Sequence, residues 1–258
     1  MKALMGHPLD AAFGAENLRD ADPRILVTNI SQEIRTKTTY GENSGRDGRR
    51  MHRMRREVIR ITVSFKLWEF SSVQDREAAL EAANAWARDG YLTISSKPGR
   101  RILVQCAERA ASRKPRDYKE EFQIVFETAE SPFWEDESPT QYTLSGTADS
   151  EAVSVPGTYE AIFEVAVGHA SGTLDALTLT VGDTAMAFSG LNIAAGTDLT
   201  IGHDEAGRLT ILAGSASKYA CRSSESSDEL MAGPGGVTVA LSADVNCNVT
   251  LSVRGRYR

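Results

Sequence analysis

The sequence is poor in the residues that usually announce chemistry. It has three cysteines, Cys106, Cys221 and Cys247, widely separated and without a C-x-x-C pair. That argues against a cysteine zinc site or a redox dithiol, and reduced, mostly buried thiols are expected. Of the four histidines, His7, His52, His169 and His203, none falls in H-E-x-x-H or another metal-ligand spacing. No apolar run approaches the roughly 18 residues of a membrane span. The first twenty residues, interrupted by Pro8, Asp10 and Glu16, lack the apolar centre of a signal peptide, so no export signal is read there. The sequons at Asn29 and Asn248 carry no weight in that context.

What is present is an ordinary soluble composition, 41% hydrophobic and 25% charged over 258 residues, enough for one large domain or two small ones. The charge is unevenly spread. Residues 1–130 hold 23 Lys/Arg and 19 Asp/Glu, a net +4, and residues 131–258 hold 6 and 16, a net −10. This asymmetry predicts two domains, 1–130 and 141–258, joined at 131–140 by "SPFWEDESPT", whose prolines and acids suit neither strand nor helix. Phe133 and Trp134 are expected to pin that elbow.

The first half reads as strands plus one helix. In "VIRITVSFKLWEF", Ile59, Ile61, Val63, Phe65 and Leu67 alternate with polar residues, and "EEFQIVFETA" repeats the period with Phe122, Ile124 and Phe126. "RILVTNISQEI" is a weaker strand. "YLTISSKPGRRILVQCAER" predicts a hairpin, 91–96 with 101–108, turning at Pro98-Gly99 in type II geometry. "SVQDREAALEAANAWARDG" predicts a helix capped by Ser72, with Asp75 in its first turn, Leu80, Ala83, Trp86 and Ala87 on one face, and Gly90 just past its end.

The second half reads as all-β. "TYEAIFEVAVG", "DALTLTVGDTAMAFSG", a hairpin turning at Asp204–Gly207, and two final strands in "GVTVALSADVNCNVTLSVRGRY" predict a sandwich or jelly roll. "GPGG" at 233–236 precedes a strand and not a helix, so it is a turn and no phosphate cradle. His203-Asp204-Glu205 sits at a hairpin tip and reads as turn chemistry. The acids at 135–137 lack a calcium-loop pattern and read as solvated charge. Aromatics in 141–258 are limited to Tyr142, Tyr159, Phe163, Phe188, Tyr219 and Tyr257, with Tyr159 and Phe163 read as core. An aromatic sugar platform is therefore poorly supplied.

One stretch stands apart. "GRDGRRMHRMRRE", Gly45–Glu57, carries six arginines, Arg46, Arg49, Arg50, Arg53, Arg55 and Arg56, against two acids. On a long loop such a run can bind phosphate backbones, but it has no aromatic for base stacking. A solvated loop and an inter-subunit arm pairing with carboxylates are the other readings.

The order of features resembles a known family. A strand pair with a long intervening loop, a helix ending "AWARDGYLTI", the "SKPGRRILVQCAE" hairpin and a strand entering "FETAESPFWEDE" are similar to the N-terminal domain of distal tail proteins of long-tailed phages. The closing "LMAGPGGVTVALSADVNCNVTLSVRGRY" resembles that family's C-terminal strands. "PGRR" and "SPFW" are the most specific phrases.

This resemblance implies a mainly β protein: a tail-tube-like β-sandwich or split barrel with one flanking helix, then a galectin-like or jelly-roll sandwich. It further implies a virion protein of the tail tip that is not an enzyme and needs no cofactor or metal. Six copies would form a ring joining the tail tube protein to the tail hub or tip protein. The second domain would hold side fibres or receptor-binding proteins, and genome DNA would pass through without specific binding. The six arginines would form the inter-subunit interface. No membrane is involved. A carbohydrate-binding module, a tube protein with a decoration domain, and a nucleic-acid-binding protein are the competing readings.

Overall fold

The computed structural model describes residues 9–42, 49–111, 120–129, 131–204 and 208–257, with backbone alone for 36–42 and 49–57. The chain divides into two compact units, Met1–Trp134 and Glu135–Arg258. Both are built mainly of antiparallel strands.

The first unit contains β1 (Ala11–Phe13), β2 (Glu16–Asn17), a short α1 (Leu18–Ala21), β3 (Ile25–Glu42), β4 (Arg49–Leu67), α2 (Val73–Trp86), β5 (Gly90–Ile94), β6 (Arg100–Glu108) and β7 (Glu121–Thr128). Its strands lie in the order β2-β1-β5-β6-β7-β4-β3. The predicted period of two is realised: Ile59, Ile61, Val63, Phe65 and Leu67 of β4, with Phe122, Ile124 and Phe126 of β7, are all buried. Alternation puts one set of apolar residues on one face, so burying that face orients both strands at once.

Helix α2 begins as its sequence requires. The Ser72 hydroxyl accepts a hydrogen bond from the Asp75 N–H at 3.1 Å, satisfying one of the unpaired first-turn donors. Ser72→Ala is expected to cost about 1 kcal/mol in chemical denaturation, without changing the fold. The buried stripe is Ala79, Leu80, Ala83 and Trp86, together with Arg76. The Trp86 ring lies 5.0 Å from Phe13 and 6.0 Å from Phe126, and its indole N–H donates to the Glu16 carbonyl at 2.9 Å. Gly90 does not cap this helix. Ala87 closes it by donating to the Ala83 carbonyl, and Gly90 opens β5 at φ +141°, a conformation side chains rarely adopt. The β5–β6 hairpin turns at Pro98-Gly99 as expected: Gly99 has φ +72°, and the Arg100 N–H donates to the Lys97 carbonyl.

The second unit's strands are β8 (Trp134–Asp136, which begins on the last residue of the first unit), β9 (Thr140–Val155), β10 (Ala161–His169), β11 (Thr173–Leu174), β12 (Leu177–Val181), β13 (Thr184–Phe188), β14 (Ile193–Ala194), β15 (Leu199–His203), β16 (Leu209–Ala213), β17 (Ala216–Ser217), β18 (Met231–Ala232), β19 (Gly235–Val253) and β20 (Arg256–Tyr257). The two final strands expected from the sequence are one, β19. Its register breaks between Ser242 and Cys247, with β12 alongside the first part and β10 alongside the second. On its other flank runs β9, a strand whose Ser, Thr, Gly and acid content gave no alternation to read. Inward residues of β9, β10, β12 and β19, with others, make one core, including Leu144, Phe163, Val165, Leu179, Val239 and Leu251.

The acids 135–136 are not solvated charge. Asp136 Oδ2 accepts from the Gly255 N–H at 3.1 Å and the Tyr257 hydroxyl at 3.2 Å, and Glu135 pairs with Arg256 at 3.3 Å. These contacts clamp the end of the chain to the start of its own unit. The fit leaves no room for a side chain at Gly255, where a Cβ would lie 2.4 Å from Asp136 Oδ2. Two further expectations need correction. Only Cys247 is buried, while Cys106 and Cys221 are partly exposed free thiols. Phe163 is core, but Tyr159 is half-buried.

Candidate functional site

From Arg49 onward the arginine-rich stretch is strand and not loop. Strands β3 and β4 pair from Ile25↔Leu67 outward to Glu42↔Arg49, with register shifts after Val27, Arg35 and Thr39. Among the described residues, β4 also pairs with β7, but only over Arg60–Lys66. From Arg49 to Val58 its one partner is therefore β3. A two-stranded ribbon about 30 Å long thus continues past the sheet.

Arg49, Arg50, Arg53, Arg55 and Arg56 all lie on this part of β4, opposite Glu42, Gly41, Thr39, Lys37 and Thr36. Arg46 lies outside the described residues. The sequence made the segment look like a loop because Gly45 and Gly48 punctuate it and its side chains lack an apolar alternation. A ribbon that leaves the sheet has no core face to record.

The root of the ribbon is built firmly. The Ile59 N–H donates to the Thr128 hydroxyl at 3.0 Å, just where β7 ends. Arg60, the seventh arginine in this region, is spent within the fold, paired with Glu108 and lying 3.9 Å from Glu127. Composition alone cannot separate Arg60 from the arginines before it; strand pairing does.

At the other end of β3, the Arg24 guanidinium holds the Asp22 carboxylate with two hydrogen bonds, 2.8 and 2.6 Å long, and this contact lowers the Asp22 pKa below its usual value. A lowered folded-state pKa means the unfolded chain takes the proton first. The stabilisation is therefore present above about pH 4 and is lost as pH falls through the folded value. Asp22→Asn is expected to lower the melting temperature at neutral pH and to reduce its further fall on acidification. Asp10, whose pKa is raised chiefly by burial, acts with the opposite sign, so the comparison is between variant and parent at each pH.

Elsewhere the chemistry is sparse. Among the described residues no group of three His, Cys, Asp or Glu side chains could hold a metal ion. No helix in them is long and apolar enough to cross a membrane. His203 lies 3.3 Å from Glu229, and Asp204 accepts from the Arg208 N–H at 2.9 Å; residues 205–207 of the expected turn lie outside the described residues. Burial raises the pKa of Cys106 and of Cys247, so neither is an activated nucleophile. Among the described residues of the second unit, Tyr219 is the one large hydrophobic side chain that is exposed, and Arg222 lies over its ring at 5.1 Å.

No family model matches the sequence, and no curated protein does. Solved structures do. The crystal structure of the SPP1 Dit protein, described as a paradigm of the hub adsorption apparatus in phages infecting Gram-positive bacteria, aligns with a TM-score of 0.70 at 16% identity. The alignment covers 95% of this chain and 98% of that one. The phage p2 baseplate in its activated conformation with strontium aligns at a TM-score of 0.47 and 7% identity, over 95% and 97% of the two chains. The fold is thus mainly β and Dit-like over nearly the whole chain, as the sequence resemblance implied.

Proposed function

We propose that this chain is a structural component of a phage tail tip, a distal tail protein whose first unit assembles into a six-fold ring between the tail tube and the tip or baseplate. The observation that carries the reading is the Dit-like fold spanning both units, not one domain alone. The second unit serves as the outward attachment point for side fibres or receptor-binding proteins. The protein is a virion adaptor without catalysis, and DNA passes through the ring without specific contacts.

The ribbon is the inter-subunit arm of this assembly. An isolated two-stranded hairpin is marginally stable in water, so a ribbon of about 30 Å calls for a surface to lie on. Arg46, Arg49, Arg50, Arg53, Arg55 and Arg56 would pair with carboxylates of adjoining subunits. Dense arginine facing the channel would retain passing phosphates, which argues against a channel lining. The deciding experiment is electron microscopy and mass measurement of purified tails carrying the tagged chain. Six copies in a ring with a central opening at the tail's distal end are expected. A monomer absent from tails would end the proposal.

A further inference from the structure

The second unit is acidic in a particular way. No lysine or arginine occurs in its strands β9 to β19; its cations sit in turns and at the chain end. Each described one is engaged within the unit: Arg208 with Asp204 (3.0 Å), Lys218 with the Leu191 carbonyl (2.6 Å), Arg222 with Asp228 (3.2 Å), Arg254 with the Asp136 carbonyl (3.1 Å) and Arg256 with Glu135 (3.3 Å). By contrast, Glu151, Glu160, Glu164, Asp183, Asp198 and Glu225 have no ion-pair partner within 4.0 Å among the described residues. The unit has used its positive charge on itself and left carboxylates over.

One of those carboxylates borders a depression. On the outer face of the sheet formed by β19, β10, β15 and β16, a trough of about 340 Å³ is lined by Glu164, Thr200, Gly202, His203, Thr210 and Ser252. Small residues leave it empty: a Cβ added at Gly202 would find its nearest neighbour, Glu164 Cγ, only at 3.9 Å. Glu164 is exposed, and the lining residue His203 lies 3.3 Å from the Glu229 carboxylate. A partner's chain can lie there against the hydroxyls of Thr200, Thr210 and Ser252 and the Glu164 carboxylate.

We infer that this trough is a docking seat for an extended basic segment, and that its occupant is the arginine ribbon, β3–β4, of a second copy of the chain. The inference rests on the adaptor reading above and names the receiving surface. Charge complementarity selects the occupant. The sequence Gly45–Glu57, whose residues from Arg49 on belong to the ribbon, holds six arginines against two acids, while the seat belongs to a half of the chain with net charge −10. The ribbon lacks a sheet to lie on, and the sheet face lacks cations. A contact between two different patches of identical chains is heterologous, the type that builds rings and stacks.

The test is photo-crosslinking in purified tails that carry the full-length chain with p-benzoylphenylalanine in place of exposed Thr200. Expected is a product at the mass of two copies, in which residue 200 is joined to a peptide from 49–60. Glu164→Lys should reduce that product about tenfold, as for loss and reversal of one partly exposed charge pair, and adding Arg53→Glu should restore part of it. Crosslinks to another tail protein, crosslinks confined to single chains, or no crosslink in tails that contain the ring would overturn the docking seat while leaving the adaptor reading intact. Absence of the chain from tails would overturn both.

Discussion

Reversing Arg49, Arg50 and Arg53 to glutamate is expected to abolish incorporation of the chain into tails while leaving its isolated fold unchanged. The three positions lie on the part of β4 that pairs only with β3, beyond the last residue bonded to β7, so no sheet pairing with β7 depends on them. In the proposed interface, each reversal would replace an attraction to an adjoining subunit's carboxylate by a repulsion. Close charge pairs at protein interfaces are worth from about 1.5 kcal/mol upward, so losing two contacts weakens association by about a hundredfold and losing three by about a thousandfold. Circular dichroism and melting temperature should match the parent, and tails should lack the ring. Normal tails carrying the triple variant would remove the arm from the assembly, whatever the fold of the protein.

The second large effect concerns stability. Arg76 is 2% exposed on the inner face of α2, paired with Glu120, 3.6 Å from Glu77 and stacked 5.2 Å from the Phe122 ring. A guanidinium this deep was desolvated on folding, and its attraction to Glu120 offsets that cost only while both partners remain. Arg76→Ala takes this cation from the Glu120 carboxylate, whose side chain is only 11% exposed, and removes the packing against Phe122. Loss of about 3–5 kcal/mol in urea unfolding is expected. The double replacement Arg76→Met with Glu120→Leu removes the charge and keeps the volume, and should recover most of the loss. If the single variant unfolds at the parent's urea midpoint, the pair contributes nothing to stability. If the double variant is no better than the single, packing and not charge holds this contact.

Much of the first unit could be read in advance because its signals are local. The β4 and β7 alternations, the Ser72 cap and the Pro98-Gly99 turn each follow from a few neighbouring residues and the backbone's own geometry. The ribbon could not be read that way. Its strands leave the sheet, so no period of two was written into them, and glycines and arginines imitate a loop. The same holds for β9, paired along one flank only and rich in Ser and Thr, and for the break in β19, which looked like a boundary between two strands. The acids Glu135 and Asp136 were misread for a different reason. Their partners Arg256, Gly255 and Tyr257 lie over a hundred residues away in the chain, where no local pattern can point to them.

By itself the sequence determined that the chain is mainly β with a capped helix, that its charge is split between a basic first half and an acidic second half, and that six arginines are gathered in thirteen residues. Only the tertiary structure decided which arginine positions lie within the sheet and which lie on the strand beyond it. Pairing with β7 stops at Arg60, and that residue is neutralised by Glu108 and Glu127, whereas the strand before it runs on without a sheet. The physical reason is that a charge's role depends on the partners folding brings within a few ångströms, and those partners are distant in the chain.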